Sequence, residues 1–203
     1  MSATHVAEDR RGALVEAAIR VLADRGYRHA SIDEIATEAG VAHGTVYLYF
    51  KSKSDVFHAI IDRYLELLEP VLMGPDLPEI EVRPDNYRDI SRAYFRHLFR
   101  FFMEHRDLTK VIYREANSID TPFENRWQEL MDFKLTRMAR NMPTLQEMGI
   151  IKSTFSPDAA FLYAGLLQGV IDYILRRESI DLDWLLDQWV EFLLHGCATD
   201  AVG

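Results

Sequence analysis

Residues Ser31 to Lys53, SIDEIATEAGVAHGTVYLYFKSK, read as two short helices joined by a tight turn and followed by the start of a third. Ser31 is placed to cap the first helix, and Glu34, three residues on, completes a capping box with it. Ile32, Ile35, Ala36 and Ala39 then share one apolar face at helical spacing. Gly40 stops the helix, because a sharp reversal needs the left-handed backbone that glycine adopts readily. Val41 fills the corner, and a second helix is expected from about His43 to Phe50. Two helices this short around a glycine-containing turn form a helix-turn-helix, whose second helix enters the DNA major groove.

A helical wheel of the second helix separates its residues. Val46 and Phe50 share the inward side, whereas Gly44, Thr45, Leu48 and Tyr49 point outward. A glycine, hydroxyls and an exposed leucine suit a surface that presses on nucleic acid. The glycine permits backbone approach, the hydroxyls bond phosphates, and the leucine meets a thymine methyl. Lys51 and Lys53 follow, and a lysine beside the open N–H groups of a helix start makes a phosphate site.

The run GVAHGTVYLYFKSKSDVF resembles the DNA-binding signature of the TetR family of bacterial transcriptional regulators, and the likeness covers roughly residues 10–60. The resemblance implies phosphate contacts from Thr45, Tyr47 and Tyr49, with Lys53 anchoring the next helix on the DNA backbone. It also implies that His43 and Gly44 lie nearest the base edges. Arg28 and Ser31, at the entrance to the motif, complete the candidate DNA-contact set with Leu48.

The chain has 203 residues, 48% of them hydrophobic, enough for one large or two small domains with a substantial core. Its longest apolar run, Phe161 to Leu175, is broken by Gln168 and Asp172 and is too short and polar to span a bilayer. The first residues, MSATHVAEDRRG, lack the apolar centre of a signal peptide. One cysteine, Cys197, precludes an internal disulfide, so a cytoplasmic location is expected. The net charge of −9 argues at first against a DNA binder. Residues 1–54, however, hold seven bases and seven acids, so the whole excess lies beyond them. A neutral head on an acidic body is compatible with DNA binding when the protein pairs as a dimer.

Taken in order, residues 1–8 read as a tail, with Arg10 and Arg11 near the DNA backbone. A first helix spans Asp9 to Arg25, with Leu14, Ala17, Ala18, Val21 and Leu22 as its inner stripe and Gly26 as its stop. Ser52 caps a long fourth helix running to about Leu68, before Pro70, and shared between head and body. Residues 69–86, with four prolines, read as a linker. Further helices are expected over Tyr87–Glu104 and about Leu108–Asn117. Another starts at Thr121-Pro122-Phe123-Glu124 and is closed by Pro143, a further one opens at Ser156-Pro157 and reaches Arg177, and the last runs from Asp181 to near Gly196. The fold class is all-α with about nine helices. A three-helix DNA-binding domain (1–54) precedes a ligand-binding and dimerisation domain (55–203), with the helix at about 53–68 as connector.

Small residues Ala160, Ala164, Gly165 and Gly169 on the penultimate helix, and Leu185, Trp189 and Phe192 on the last, suggest a homodimer built as a four-helix bundle. The bland alternative is an intramolecular core. By resemblance an apolar pocket lies among the body helices, with Tyr94, Leu98, Tyr113, Trp127, Phe161 and Gln168 as candidate lining; aromatics at helical spacing also suit plain core. His58 with Asp62, and His195 with Cys197, lack a third partner for a metal. No glycine-rich phosphate loop, nucleophile elbow or HExxH is present, so no cofactor, metal site or catalytic residue is assigned. The expectation is a ligand-responsive regulator, a repressor, that binds double-stranded operator DNA and is released by a small apolar or aromatic effector, with no membrane partner. The rival readings are a small helical enzyme and a helix-turn-helix used for protein contacts.

Overall fold

Gly26 and Gly40, both at positive φ (81° and 67°), end the first two helices and set the path of the amino-terminal part. The computed structural model describes residues 3–73, 82–115, 142–156 and 160–197 and six further positions between 128 and 140. Among the described residues every regular element is a helix: α1 (Ala3–Arg25), α2 (Ile32–Glu38), α3 (His43–Val46), α4 (Lys53–Met73), α5 (Tyr87–Glu104), α6 (Arg106–Glu115), α7 (142–147), α8 (Ala160–Arg176) and α9 (Leu182–Cys197). None is long and apolar enough to cross a membrane.

By its internal contacts the chain forms two units. The first comprises Met1–Leu68 and His105–Trp127. Its core takes Leu14, Ala17, Ala18 and Leu22 from α1, Ile35 and Ala36 from α2, Val46 from α3, and Val56, Phe57, Ile60 and Tyr64 from α4. α6 joins this core by packing against α1 with Leu108, Val111 and Ile112. The second unit comprises Glu69–Glu104 and Gln128–Gly203. There Phe95, Leu98, Phe99 and Phe102 of α5, at helical spacing, meet α8 and α9. Trp189 stands edge-on to Phe95 and Phe99, with ring centroids 5.2 and 5.7 Å apart. Arg88 pairs with Glu191, Arg92 with Asp187 and Asp183, and Arg96 with Asp183. Ascending numbers on α5 meet descending numbers on α9, so the two helices are antiparallel.

Several expected boundaries move. α1 begins at Ala3, so residues 3–8 extend the helix rather than form a tail. α3 ends at Val46, and residues 47–49 form a turn with Leu48 N–H on Thr45 O (3.2 Å) and Tyr49 N–H on Val46 O (3.0 Å). α4 runs on to Met73 with Pro70 inside it. An interior proline removes one N–H and crowds the carbonyl four residues back, here that of Glu66, yet the helix continues for three more residues. Residues 69–73 are therefore helical rather than linker. Residues 142–147 are helical, with Pro143 second among them, and Asn141, the expected end of the preceding helix, lies outside the described residues. The start expected at Thr121-Pro122-Phe123-Glu124 and the Pro157 opening lie outside the described residues.

Candidate nucleic-acid interface

The helix-turn-helix is built by local chemistry. Ser31 Oγ accepts the Glu34 N–H at 3.2 Å, and Glu34 Oε2 accepts the Ser31 N–H at 2.9 Å, the two halves of a capping box. At the other end of α2, Gly40 N–H bonds Thr37 O (3.1 Å) and Val41 N–H bonds Ala36 O (2.9 Å), the paired bonds of a Schellman stop. Ser31 is thus occupied as a cap. Ser52 does the same for α4, accepting the Asp55 N–H at 3.1 Å.

α3 then divides as its wheel requires. Val46 and Phe50 are buried, at 0% and 3% exposure, whereas Leu48 is 80% and Tyr47 49% exposed. His43 and Gly44 are exposed, and Thr45 and Tyr49 are half-buried at the margin. His43, Gly44, Thr45, Tyr47, Leu48 and Tyr49 therefore share one small region, and Arg28 is exposed in the connector before α2. Arg11 lies over the Phe50 ring, 5.1 Å from its centroid.

Lys53 takes a role that the sequence reading missed. Its ammonium donates to Tyr27 O at 2.6 Å and Ala30 O at 2.9 Å and lies 4.6 Å from the centroid of the Tyr27 ring. It ties α4 to the α1–α2 connector. Glu115 of α6 grips the same residue, accepting the Tyr27 N–H. Arg114 bonds Glu115 and donates to the carbonyls of Leu22 and Ala23 at the end of α1. A cation at the carbonyl end of a helix meets groups that lack intrahelical partners. These contacts are long-range in sequence, and no local pattern signals them.

The acids of α2 are all engaged. Glu38 pairs with Arg20 at 2.6 Å, Glu34 lies 3.7 Å from Arg25, and Asp33 bonds His43 Nδ1. The Ser31 backbone N–H, and then its hydroxyl, hold the Glu34 carboxyl below its ordinary value. Exposed pairs of this kind add little stability. Their effect here is to leave the recognition face without an unpaired carboxylate from α2. The crevice between α1 and α2, lined by Arg20, Asp24, Arg25, Glu34, Thr37 and Glu38, is charged and open, unlike an apolar effector cavity.

Of the candidate pocket residues, Tyr94, Leu98 and Gln168 belong to the second unit and Tyr113 to the first. Leu98 is buried core, Tyr94 stands edge-on to Phe95, and Gln168 bonds Asp172 at 3.3 Å on α8. Tyr113 neighbours the buried Tyr64 phenol, whose pKa is pushed well up by burial and then by Tyr113. Trp127 and the side chains of Phe161 and Ala160 lie outside the described residues. Leu185 and Trp189, expected at a dimer seam, are buried within their own chain, and Phe95 and Phe99 of α5 stand against Trp189. Gly165, Gly169 and Phe192 are exposed, Ala164 is half-buried, and Leu162 and Leu166 add apolar exposure on α8.

Residues 14–60 match the family model described as bacterial regulatory proteins, tetR family. The chain is 40% identical over 189 residues to the fatty acid metabolism regulator protein of Bacillus subtilis (strain 168), an alignment covering 90% of this chain and 93% of that protein. Its fold matches the crystal structure of the transcriptional regulator FadR from Bacillus subtilis in complex with stearoyl-CoA, with a TM-score of 0.66 and 21% identity, covering 91% of this chain and 97% of that one. It also matches AibR in complex with isovaleryl coenzyme A and operator DNA, with a TM-score of 0.74 and 19% identity, covering 91% and 98% of the two chains.

Proposed function

Since this chain belongs to the TetR family of bacterial transcriptional regulators, we propose that it is a dimeric repressor released from its operator by an acyl-coenzyme A. The DNA-binding half of this reading is carried by one observation: α3 and its following turn bury Val46 and Phe50 while exposing His43, Gly44, Tyr47 and Leu48. The effector class is supported by the 40% identical relative, a regulator of fatty acid metabolism. Proteins of the same fold that hold stearoyl-CoA and isovaleryl coenzyme A support it further.

In this reading residues 1–54 bind DNA and residues 55–203 bind effector and pair the protomers. The exposed Gly165, Gly169, Leu162, Leu166 and Phe192 form the apolar part of the dimer seam. The dimer holds two recognition helices about one DNA turn apart, ~34–36 Å, or a multiple of it. An effector that binds the other spacing more tightly shifts the population away from the operator-bound form. α4 contributes Lys53–Leu68 to the first unit and its last residues to the second, so it is the element proposed to carry the change.

The test is a fluorescence anisotropy titration of the protein on selected operator DNA, with stearoyl-CoA, isovaleryl coenzyme A and free coenzyme A as competitors. Release by an acyl form and not by free coenzyme A supports the proposal. DNA binding that no acyl form relieves overturns the effector class, and absence of any sequence-specific binding overturns the regulator reading.

A further inference from the structure

Asp33, in the first turn of α2, and His43, the first residue of α3, are joined side chain to side chain, Oδ1 to Nδ1. A carboxylate oxygen and a bare ring nitrogen would repel at that contact, so a proton lies between them and Nδ1–H is the donor. The ring is further set by Tyr47, whose centroid is 5.1 Å away at an interplanar angle of 50°. Both side chains are exposed, at 49% for His43 and 76% for Asp33, so the pair lies on the surface that α3 presents. Among the described residues Nε2 has no protein partner.

We propose that Asp33 makes His43 a specificity-determining residue by fixing its tautomer, so that Nε2 meets the major groove as a hydrogen-bond acceptor. With Nδ1 occupied, an unprotonated imidazole has only the Nε2 lone pair left to offer. In the major groove the base-edge donors are the amino groups of adenine and cytosine. Guanine and thymine present acceptors at the same edge, and so do phosphates, all of which repel a lone pair. The pair therefore selects an amino base over a keto base on one strand at one position of each half-site. Released from Asp33, the ring can carry its proton on Nε2 and donate to guanine, thymine or phosphate, and the selection is lost. This rests on the operator-binding reading above and adds the base class that His43 reads.

The experiment is selection from a randomised duplex pool at pH 8, above the ordinary imidazole range, for the wild type, Asp33→Ala and His43→Ala. The wild type is expected to prefer adenine or cytosine at one position per half-site by about fivefold. Both variants are expected to lose that preference while keeping the rest of the motif. A purely structural role for Asp33 would lower affinity across all sequences and leave the motif intact, which overturns the proposal. So does a preference for guanine or thymine at the position that His43→Ala alters. A wild type that selects no sequence fails the operator-binding reading itself, a separable outcome. Should Asp33→Ala fail to fold, long-range proton–nitrogen correlation of the wild-type imidazole decides: an Nδ1–H tautomer supports the proposal, and an Nε2–H tautomer overturns it.

Discussion

Glu115, the last residue of α6, accepts the backbone N–H of Tyr27 through Oε1 at 3.0 Å. The two residues are 88 apart in sequence, and Glu115 is buried. Removing a buried carboxylate that binds a backbone N–H and a guanidinium costs both of those bonds at once. Glu115→Ala is therefore expected to cost about 2 kcal/mol in urea unfolding, because bonds to charged groups fall in that range. Glu115→Gln, which keeps an acceptor oxygen, is expected to cost less than half as much. Both should weaken operator binding in the same order, since Tyr27 leads directly into α2.

Lys53 holds the other side of Tyr27 through the Tyr27 and Ala30 carbonyls. Its charge is thus engaged within the protein, and the expected effect of Lys53→Met differs from that of losing a phosphate contact. Unfolding free energy should fall by about 1–2 kcal/mol. The slope of log affinity against log salt should hardly change, whereas each lost phosphate contact would make it shallower by about 0.9. Salt titrations of the two proteins on one operator separate the roles, and a slope change near that figure would show a phosphate contact from Lys53.

What the sequence made legible was local. The Ser31–Glu34 box, the Gly40 stop, the Ser52 cap and the Tyr87–Glu104 helix are each set by residues within one or two turns, where spacing reports the chemistry directly. The Lys53 bonds to Tyr27 O and Ala30 O were not legible, because a lysine at a helix start has the same local pattern whether or not it reaches carbonyls of an earlier loop. The contacts of Trp189 were not legible for a related reason: an apolar helical stripe does not say which of its residues the α5 aromatics will cover. Leu108, Val111 and Ile112 mark α6 as an amphipathic helix, but that stripe does not say that α1 covers it or that Arg114 and Glu115 reach back to residues 22–27. At the candidate interface the outward residues were legible from the wheel, but the Asp33–His43 link depends on how the turn folds α2 back beside α3.

Gly44 offers a test in which stability and binding part company. A Cβ at this position meets nothing within 4 Å, and its φ is not positive, so the protein alone places no demand for glycine here. Gly44→Ala should keep or raise stability, by up to about 1 kcal/mol, because alanine loses less backbone freedom in a helix. If the α3 backbone seats against DNA, the same methyl occupies space that the duplex needs, and operator affinity falls. Thermal unfolding and anisotropy on one preparation measure both, and unchanged affinity would place the DNA elsewhere.

The pH dependence of stability follows from Glu34. Its carboxyl is held below the ordinary value of 4.5, first by the Ser31 N–H and second by the Ser31 hydroxyl. With the folded pKa depressed, the unfolded chain takes up the proton first as pH falls. The stabilising contribution is then complete above about 4.5 and is lost as pH drops through the lower folded value. Glu34→Gln removes that charge, so at neutral pH the variant should be less stable than the wild type. Urea unfolding from about pH 5 to about pH 3 should show the gap closing, because the wild type loses what the variant never had. Asp183, depressed first by Arg96 and then by Arg92, titrates in both proteins and cancels from their difference. A gap that stays constant across that range would mean that the capping box draws nothing from the charge on Glu34.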